Sequence, residues 1–183
     1  MSQTMNALGQ PVGEAVPGWT ARLRPPRSAI AGRFCRIEML DPAAHAADLF
    51  AGNRLDAEGR NWTYLAYGPF ERLEDYRAWL DSIAKPEDPL FHTIIDLASG
   101  NAVGIASLMR IDPKMGVIEV GNINYSAALK GTTIATEAMF LFMRRVFDEL
   151  GYRRYEWKCD SLNAPSRAAA LRLGFKYEGL FRQ

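Results

Sequence analysis

The sequence predicts a single α/β domain built on a mixed, mostly antiparallel sheet flanked by helices. Three observations predict it. Three β-type runs, 91–97, 102–111 and 117–125, follow one another across short turns, the pattern of an antiparallel meander. A helix–strand–helix–strand succession comes next, and a β-α-β crossover obliges two neighbouring strands to run parallel. The chain has 183 residues, which at ~150 residues per domain is one domain. Its 48% hydrophobic and 23% charged residues exclude a disordered, collagenous or coiled-coil protein.

Residues 1–32 read as an irregular arm, because Pro11, Pro17, Pro25 and Pro26 with Gly9, Gly13, Gly18 and Gly32 interrupt any period. Arg22, Arg24, Arg27, Arg33 and Arg36 fall together with no acid among them. Such a run either grips phosphate or lies as a solvated strap around the domain. Residues 33–183 form the domain proper. A strand is expected at 33–40. Asp41-Pro42 then supplies an N-cap and a first helical residue, and the helix stops at Gly52. Residues 59–70 form a loop rich in aromatics. Residues 71–83 are helical, with Leu73, Tyr76, Trp79, Leu80 and Ile83 at three- and four-residue spacing. Ser99-Gly100-Asn101 and residues 112–116 are the turns of the meander. Residues 133–150 form a long helix, with Ile134, Ala138, Leu141, Met143, Val146 and Leu150 on its buried side and Gly151 as its stop. A strand at 152–159, a helix at 163–173 ended by Gly174, and a last strand at 175–181 complete the order.

Composition narrows the function. The 22 basic and 21 acidic residues leave a net charge of +1, so nothing global favours nucleic acid or an anionic membrane. No stretch is apolar for the ~18 residues of a membrane-spanning helix. Residues 1–10 lack the basic start and apolar core of a secretory signal. Cys35 and Cys159 lie far apart and His45 and His92 stand alone, which excludes a disulfide framework and zinc spacing and fits a reducing cytoplasm.

The segment Lys130-Gly131-Thr132-Thr133-Ile134-Ala135-Thr136 joins the third meander strand to the long helix. A helix N-terminus offers free backbone N–H groups, three threonines offer hydroxyls and Lys130 adds a charge. That is either an anion site suited to phosphate or pyrophosphate, or simply a threonine-capped helix. No Walker-type lysine motif is present. In mixed sheets ligands favour the carboxyl ends of strands where the topology changes, and that place is here.

The segment Asn163-Ala164-Pro165-Ser166, followed by Leu173-Gly174-Phe175 and Glu178-Gly179, adds a second motif. Together with the Ala135-Thr136-Glu137-Ala138 helix opening, the pair resembles the GNAT superfamily of acyl-CoA-dependent N-acyltransferases, within it the RimJ/RimL-like branch. The resemblance spans residues 33–182. It implies a GNAT fold with a V-shaped split between two parallel strands. Acetyl-CoA would lie in the split as co-substrate, its pyrophosphate on the N–H groups of residues 130–135 with Thr136 close by. The pantetheine would run beside strand 117–125, near Asn122 and Ile123, where a backbone amide would polarise the thioester. Asn163 and Ser166 match helix residues that face the cofactor, and Ser166 would protonate the leaving thiolate. Two departures stand out. Lys130 replaces the usual Gln or Arg of the pyrophosphate loop, and Thr133 stands where glycine is usual, so a Cβ narrows the approach. Relatives also carry a further strand after the Glu-Gly segment. An edge left open there is one that a second copy could complete as a homodimer.

Acetyl transfer to an amine needs a base for the ammonium, a polarised thioester and a proton for the thiolate. On strand 117–125 simple alternation puts Glu119, Gly121 and Ile123 on one face and Val120, Asn122 and Asn124 on the other. Glu119 is the carboxylate best placed to act as a water-mediated base, or else it is a structural partner of an arginine. Asp160 is a second carboxylate, placed to cap the turn before Asn163. Ser166 could equally bond the cap of its own helix, and Cys159 is expected to pack at the end of a buried strand. Trp62 and Tyr67 of the aromatic loop are the expected walls of the acceptor pocket, the alternative being core packing. The acceptor is a small amine or a protein N-terminus. A competing reading is a GNAT-like module that binds acyl-CoA without turnover.

Overall fold

The computed structural model describes residues 4–182. Six strands form the main sheet among these residues: β3 (Ile30–Ala31), β4 (Cys35–Met39), β5 (Leu90–Asp96), β6 (Ala102–Asp112), β7 (Val117–Tyr125) and β8 (Arg154–Trp157), in that spatial order. The first five are antiparallel neighbours, and β7 pairs with β8 in parallel. Two short strands, β1 (Thr4–Met5) and β2 (Pro11–Val12), pair separately. Helices α1 (Pro42–Arg54) and α2 (Leu73–Ile83) cover one face. Helix α3 (Thr133–Arg144), continued by a π-type turn at Arg145–Glu149, covers the other, and α4 (Ala164–Arg172) follows β8. No helix among the described residues is long and apolar enough to cross a membrane.

Two cores result from this layering. Ile37, Ile94, Leu108, Ile118 and Val120 meet Ala138, Leu141 and Phe142 of α3. Leu40, Phe91 and Ile105 meet Leu49 of α1 and Tyr76 and Leu80 of α2. Each fully buried aliphatic or aromatic side chain contributes about 1.5–3 kcal/mol of transfer free energy.

The elements differ from simple expectation where tertiary contact decides. Helix α1 runs through Gly52 to Arg54. Gly52 serves a close approach, because a Cβ there would lie 2.9 Å from the Ser126 Cβ. The expected strand at 175–181 is not formed. Tyr177, Leu180 and Phe181 are exposed, and this segment finds no ladder partner among the described residues. Cys159 lies beyond the end of β8 and is exposed rather than packed. The arm is not wholly irregular, since Ile30–Ala31 opens the sheet.

Residues 19–31 strap the side of the sheet away from the split. Arg22 donates from Nε to the Gly151 carbonyl at 3.0 Å and stacks on Trp19, and Arg24 donates to the Glu87 carbonyl at 3.0 Å. The Tyr152 hydroxyl donates to the Leu23 carbonyl and Arg145 to the Ser28 carbonyl. Arg22 and Arg24 of the basic run thus hold protein carbonyls, while Arg36 pairs with Glu38.

Glu137 of α3 ties that helix to β4. Its carboxylate accepts from the backbone N–H groups of Arg33 (2.7 Å), Phe34 (2.7 Å) and Cys35 (2.8 Å). Burial alone would raise its pKa, but the three N–H groups outweigh burial and hold it below the ordinary glutamate range.

Candidate active site

The parallel ladder of β7 and β8 is short. Val117, Ile118, Glu119 and Val120 pair with Arg154, Tyr155, Glu156 and Trp157, and then the strands part. From Gly121 onward the β8-facing edge of β7 has no strand partner, and Lys158 is the first β8-side residue past the fork.

At the fork β7 carries a bulge. Ser107 faces Gly121 and Ile105 faces Asn124, so three β7 steps match two on β6. Asn122 takes up the extra residue at φ +50°, a left-handed conformation that asparagine tolerates better than most residues. Its Nδ2 donates to the Ser107 hydroxyl at 3.0 Å. The bulge breaks the expected alternation. Glu119, Gly121, Asn122 and Asn124 share the face toward the aromatic loop, while Val120, Ile123 and Tyr125 turn to the α3 core. Ile123 therefore packs, and only its backbone is available to the split.

The turn before α3 leaves several backbone amides unbonded. Gly131 sits at φ +74° with open space around it. Thr132 is the N-cap, its hydroxyl oxygen accepting from Ala135 N at 3.2 Å and donating to the Leu129 carbonyl at 2.8 Å. The amides of Lys130, Thr132 and Ala135 are already bonded within the turn. Those of Gly131, Thr133 and Ile134 carry no backbone bond, and Lys130 and Thr133 are exposed above them. The Ile134 side chain turns away, into a cleft shared with Arg33, Phe34 and Leu97. Thr136 accepts from Nη1 of Arg172 at 3.1 Å, which brings a cation from α4 to the same helix end.

Asn163 and Ser166 meet on the far side of the split. Asn163 caps α4, its Oδ1 accepting from Ser166 N at 3.1 Å. The Ser166 hydroxyl oxygen accepts from the Trp157 indole at 2.9 Å, which leaves its own proton to donate elsewhere. Asp160 accepts from Leu162 N and caps the turn, as its place before Asn163 suggested.

The aromatic loop crosses this gap. Asn61 donates to the Asn124 side chain at 3.2 Å and to the Tyr125 carbonyl at 3.0 Å. Tyr64 reaches the other bank, its hydroxyl donating to the Leu162 carbonyl at 3.1 Å. Tyr67 stacks on Trp79 with ring centres 4.4 Å apart, and its hydroxyl meets Asn122 Oδ1 at 3.4 Å, so it reaches the bulge. Burial raises the Tyr67 pKa, so the phenol stays protonated and keeps its O–H as a donor. Trp62 is no wall of the split. It is 6% exposed, wedged edge-on between Tyr67 and Phe70 and against Gly68 in the second core.

Glu119 is 3% exposed. Its Oε2 accepts from Arg110 Nη1 at 2.7 Å and Lys158 Nζ at 2.6 Å, while Oε1 leans toward Gly121. The Met109 thioether covers Gly121, a flexible side chain able to vacate the lane toward the bulge. Lys158 also pairs with Glu156. Burial opposes its charge, yet its two carboxylate hydrogen bonds prevail and raise its pKa. Arg110, Lys158, Trp157, Arg172, Asn61 and Tyr64 were not singled out by the sequence. Their only signal was a place on the strands, loop or helix flanking the fork.

The family model described as "Acetyltransferase (GNAT) domain" matches residues 36–176, more than three quarters of the chain. The chain belongs to the GNAT family. Among solved structures, it is 46% identical to a GCN5-related N-acetyltransferase from Brucella melitensis, with a TM-score of 0.89 over 92% of this chain and 76% of that one. It is 38% identical to a GNAT-family protein from Chromobacterium violaceum, with a TM-score of 0.84 over 93% and 84%. An acetyl transferase from Salmonella typhimurium, which modifies the N-terminal serine of a 50S ribosomal subunit protein, shares the fold at 18% identity and a TM-score of 0.68 over 83% and 87%. No curated protein matches the chain. The mixed six-stranded sheet is thus a GNAT fold, and the chain is a GNAT acetyltransferase.

Proposed function

We propose that this acetyltransferase moves an acetyl group from acetyl-CoA to a primary amine by direct attack within a ternary complex. The observation that carries the reading is the fork itself: β7 and β8 part at Val120 and Trp157, beside the Asn122 bulge and at the foot of α3. The pantetheine lies along the free edge of β7, by Asn122 and Ile123. The pyrophosphate rests on the free amides of Gly131, Thr133 and Ile134, with Lys130 and Arg172 as counter-charges and Thr132 and Ala135 shaping the cap.

The chemistry divides among this chain's residues. The ammonium gives a proton through water to Glu119, the lone pair of the neutral amine attacks the thioester carbonyl, and the nitrogen loses its second proton to water as the intermediate collapses. A C–N bond forms, the C–S bond breaks, and the thiolate takes the Ser166 hydroxyl proton, which solvent replaces. The products are an N-acetyl amine and free CoA. The carbonyl is polarised by a backbone N–H at the bulge. Tyr67 and Tyr64 border the acceptor side. Residues 1–32 act as an arm to the acyltransferase domain of 33–183, and the RimJ/RimL-like branch is the proposed family setting.

A second reading, a module that binds acyl-CoA without turnover, draws on one observation: both cations already hold Glu119 Oε2. Titration calorimetry with acetyl-CoA, and ATP as control, joined to a thiol assay of amine-dependent CoA release, separates the two. Saturable binding with amine-dependent release supports transfer. Binding without release against any amine or peptide supports the module, and no binding by folded protein removes both.

A further inference from the structure

Six charges alternate across the face of the fork that the aromatic loop borders: Arg110, Glu119, Lys158, Glu156, Arg154 and Glu178. The chain of pairs begins with an unusual residue. Arg110 stands at φ +47° in a second bulge, where Met109 faces Glu119 and Asp112 faces Val117. A non-glycine residue there costs free energy and persists only where its surroundings hold it. Asp88 does so, its two carboxylate oxygens accepting from the backbone N–H groups of Arg110 and Ile111, each at 2.9 Å. The fold therefore spends strain to bring this guanidinium beside Glu119.

Neutralising Glu119 does not require it. Lys158 already bonds the same oxygen from the fork. Arg110 commits one nitrogen, Nη1, to Glu119, and its side chain is 60% exposed, so most of its five N–H donors face solvent. The Lys158 ammonium keeps one donor beyond Glu119 and Glu156. The floor thus offers a carboxylate for an amine, with Oε1 free, flanked by unspent cationic donors.

We propose that the acceptor is a small primary amine carrying an anionic group a few bonds from its nitrogen, the anion being a carboxylate or a phosphate held by Arg110 and Lys158. This rests on the acetyl-transfer reading and names its substrate class. The planar fork of Arg110 suits both anions, and the anionic group fixes the amine over the lane from Glu119 to the bulge. A polyamine brings charge of the wrong sign to this floor.

The test compares kcat/KM for matched pairs: β-alanine with β-alaninamide, and aminoethyl phosphate with ethanolamine, with spermidine as the polycation. The charged member is expected to exceed its neutral partner by ~tenfold or more, the worth of one charge-assisted contact. The larger ratio tells carboxylate from phosphate. In Arg110→Gln the ratio collapses toward unity, mainly through KM, and Arg110→Lys restores part of it. Circular dichroism and thermal melting confirm that both variants fold, and Lys158→Met provides an independent second variant. Equal rates within both pairs, a preference for spermidine, or a charged-amine preference surviving Arg110→Gln and Lys158→Met overturns the proposal. So does the absence of turnover with every probe. Saturable acetyl-CoA binding in that case leaves the acyl-CoA reading standing, and its loss takes both down.

Discussion

Trp157 donates its indole N–H to the hydroxyl oxygen of Ser166 at 2.9 Å, joining the last paired residue of β8 to the first turn of α4. A serine that accepts from an indole has one proton left, and the Asn163 cap fixes the backbone that carries it. In the proposed mechanism that proton is the one the thiolate takes. Trp157→Phe keeps most of the packing against Phe175 and deletes only the N–H. We expect kcat to fall about threefold to tenfold with little change in the KM for acetyl-CoA, and Ser166→Ala to lose more, up to the roughly 100-fold typical of a general acid. Steady-state kinetics on both variants check this. An unchanged kcat in Ser166→Ala would assign the hydroxyl to helix capping alone.

Glu119→Gln removes the proposed base and keeps the shape. The expected loss in kcat is about 10²–10⁴-fold. The variant also leaves Arg110 and Lys158 without their carboxylate, so a modest fall in melting temperature accompanies it. A kcat equal to that of the parent enzyme would exclude Glu119 as base.

His92 provides an acid-sensitive element in the core. It lies edge-on to Phe142, 1% exposed, with both ring nitrogens unpartnered, and burial pushes its pKa down from 6.5 to about 4. Between these values the unfolded chain binds a proton that the folded chain refuses, so stability falls as pH drops through this window. The accumulated cost is on the order of 3 kcal/mol by pH 4. His92→Leu flattens that limb, which denaturant midpoints at pH 7 and pH 5 would register. Equal pH sensitivity in the two proteins would place the acid-labile group elsewhere.

Glu137→Gln replaces a carboxylate that holds three N–H groups with an amide that accepts at one oxygen. Hydrogen bonds to a charged acceptor are worth about 1.5–3 kcal/mol each, so a loss of about 2 kcal/mol or more is expected at pH 7. Because the folded pKa is depressed, this stabilisation is present above the ordinary glutamate pKa of 4.5 and is lost as pH falls through the folded value. Chemical denaturation across pH 3–7 should therefore show parent and variant converging at the acid end.

Much of the architecture was legible in the chain. The meander, the crossover and the Thr132 cap followed from alternation, turn residues and helical spacing, and the Asn163 cap from its place before Pro165. What failed depended on partners distant in sequence. Gly52 reads as a helix stop until Ser126 is seen against it. Residues 175–181 have strand composition but find no ladder partner among the described residues. Trp62 and Tyr67 are five residues apart in one loop and both pack on the second core, and only the Tyr67 hydroxyl's contact with Asn122 tells them apart. Glu119 was visible as a carboxylate near the fork. Its two cations were not, because Arg110 reaches it only through a left-handed bulge that Asp88 sets from another strand's approach. Asn122 beside Gly121 was the available hint of the other bulge, since both residues accept conformations that break a strand.

The Glu137 bond to residues 33–35 makes α3 and the start of β4 one mechanical piece. Glu137 lies one turn along the helix whose first amides would carry the pyrophosphate. An anion settling on that helix end stiffens the turn that Glu137 stands on, and the three amides it clasps lie on a different strand. The protein thus carries a native reporter of occupancy: slowed hydrogen exchange at Arg33, Phe34 and Cys35 would register a loaded turn before any product forms.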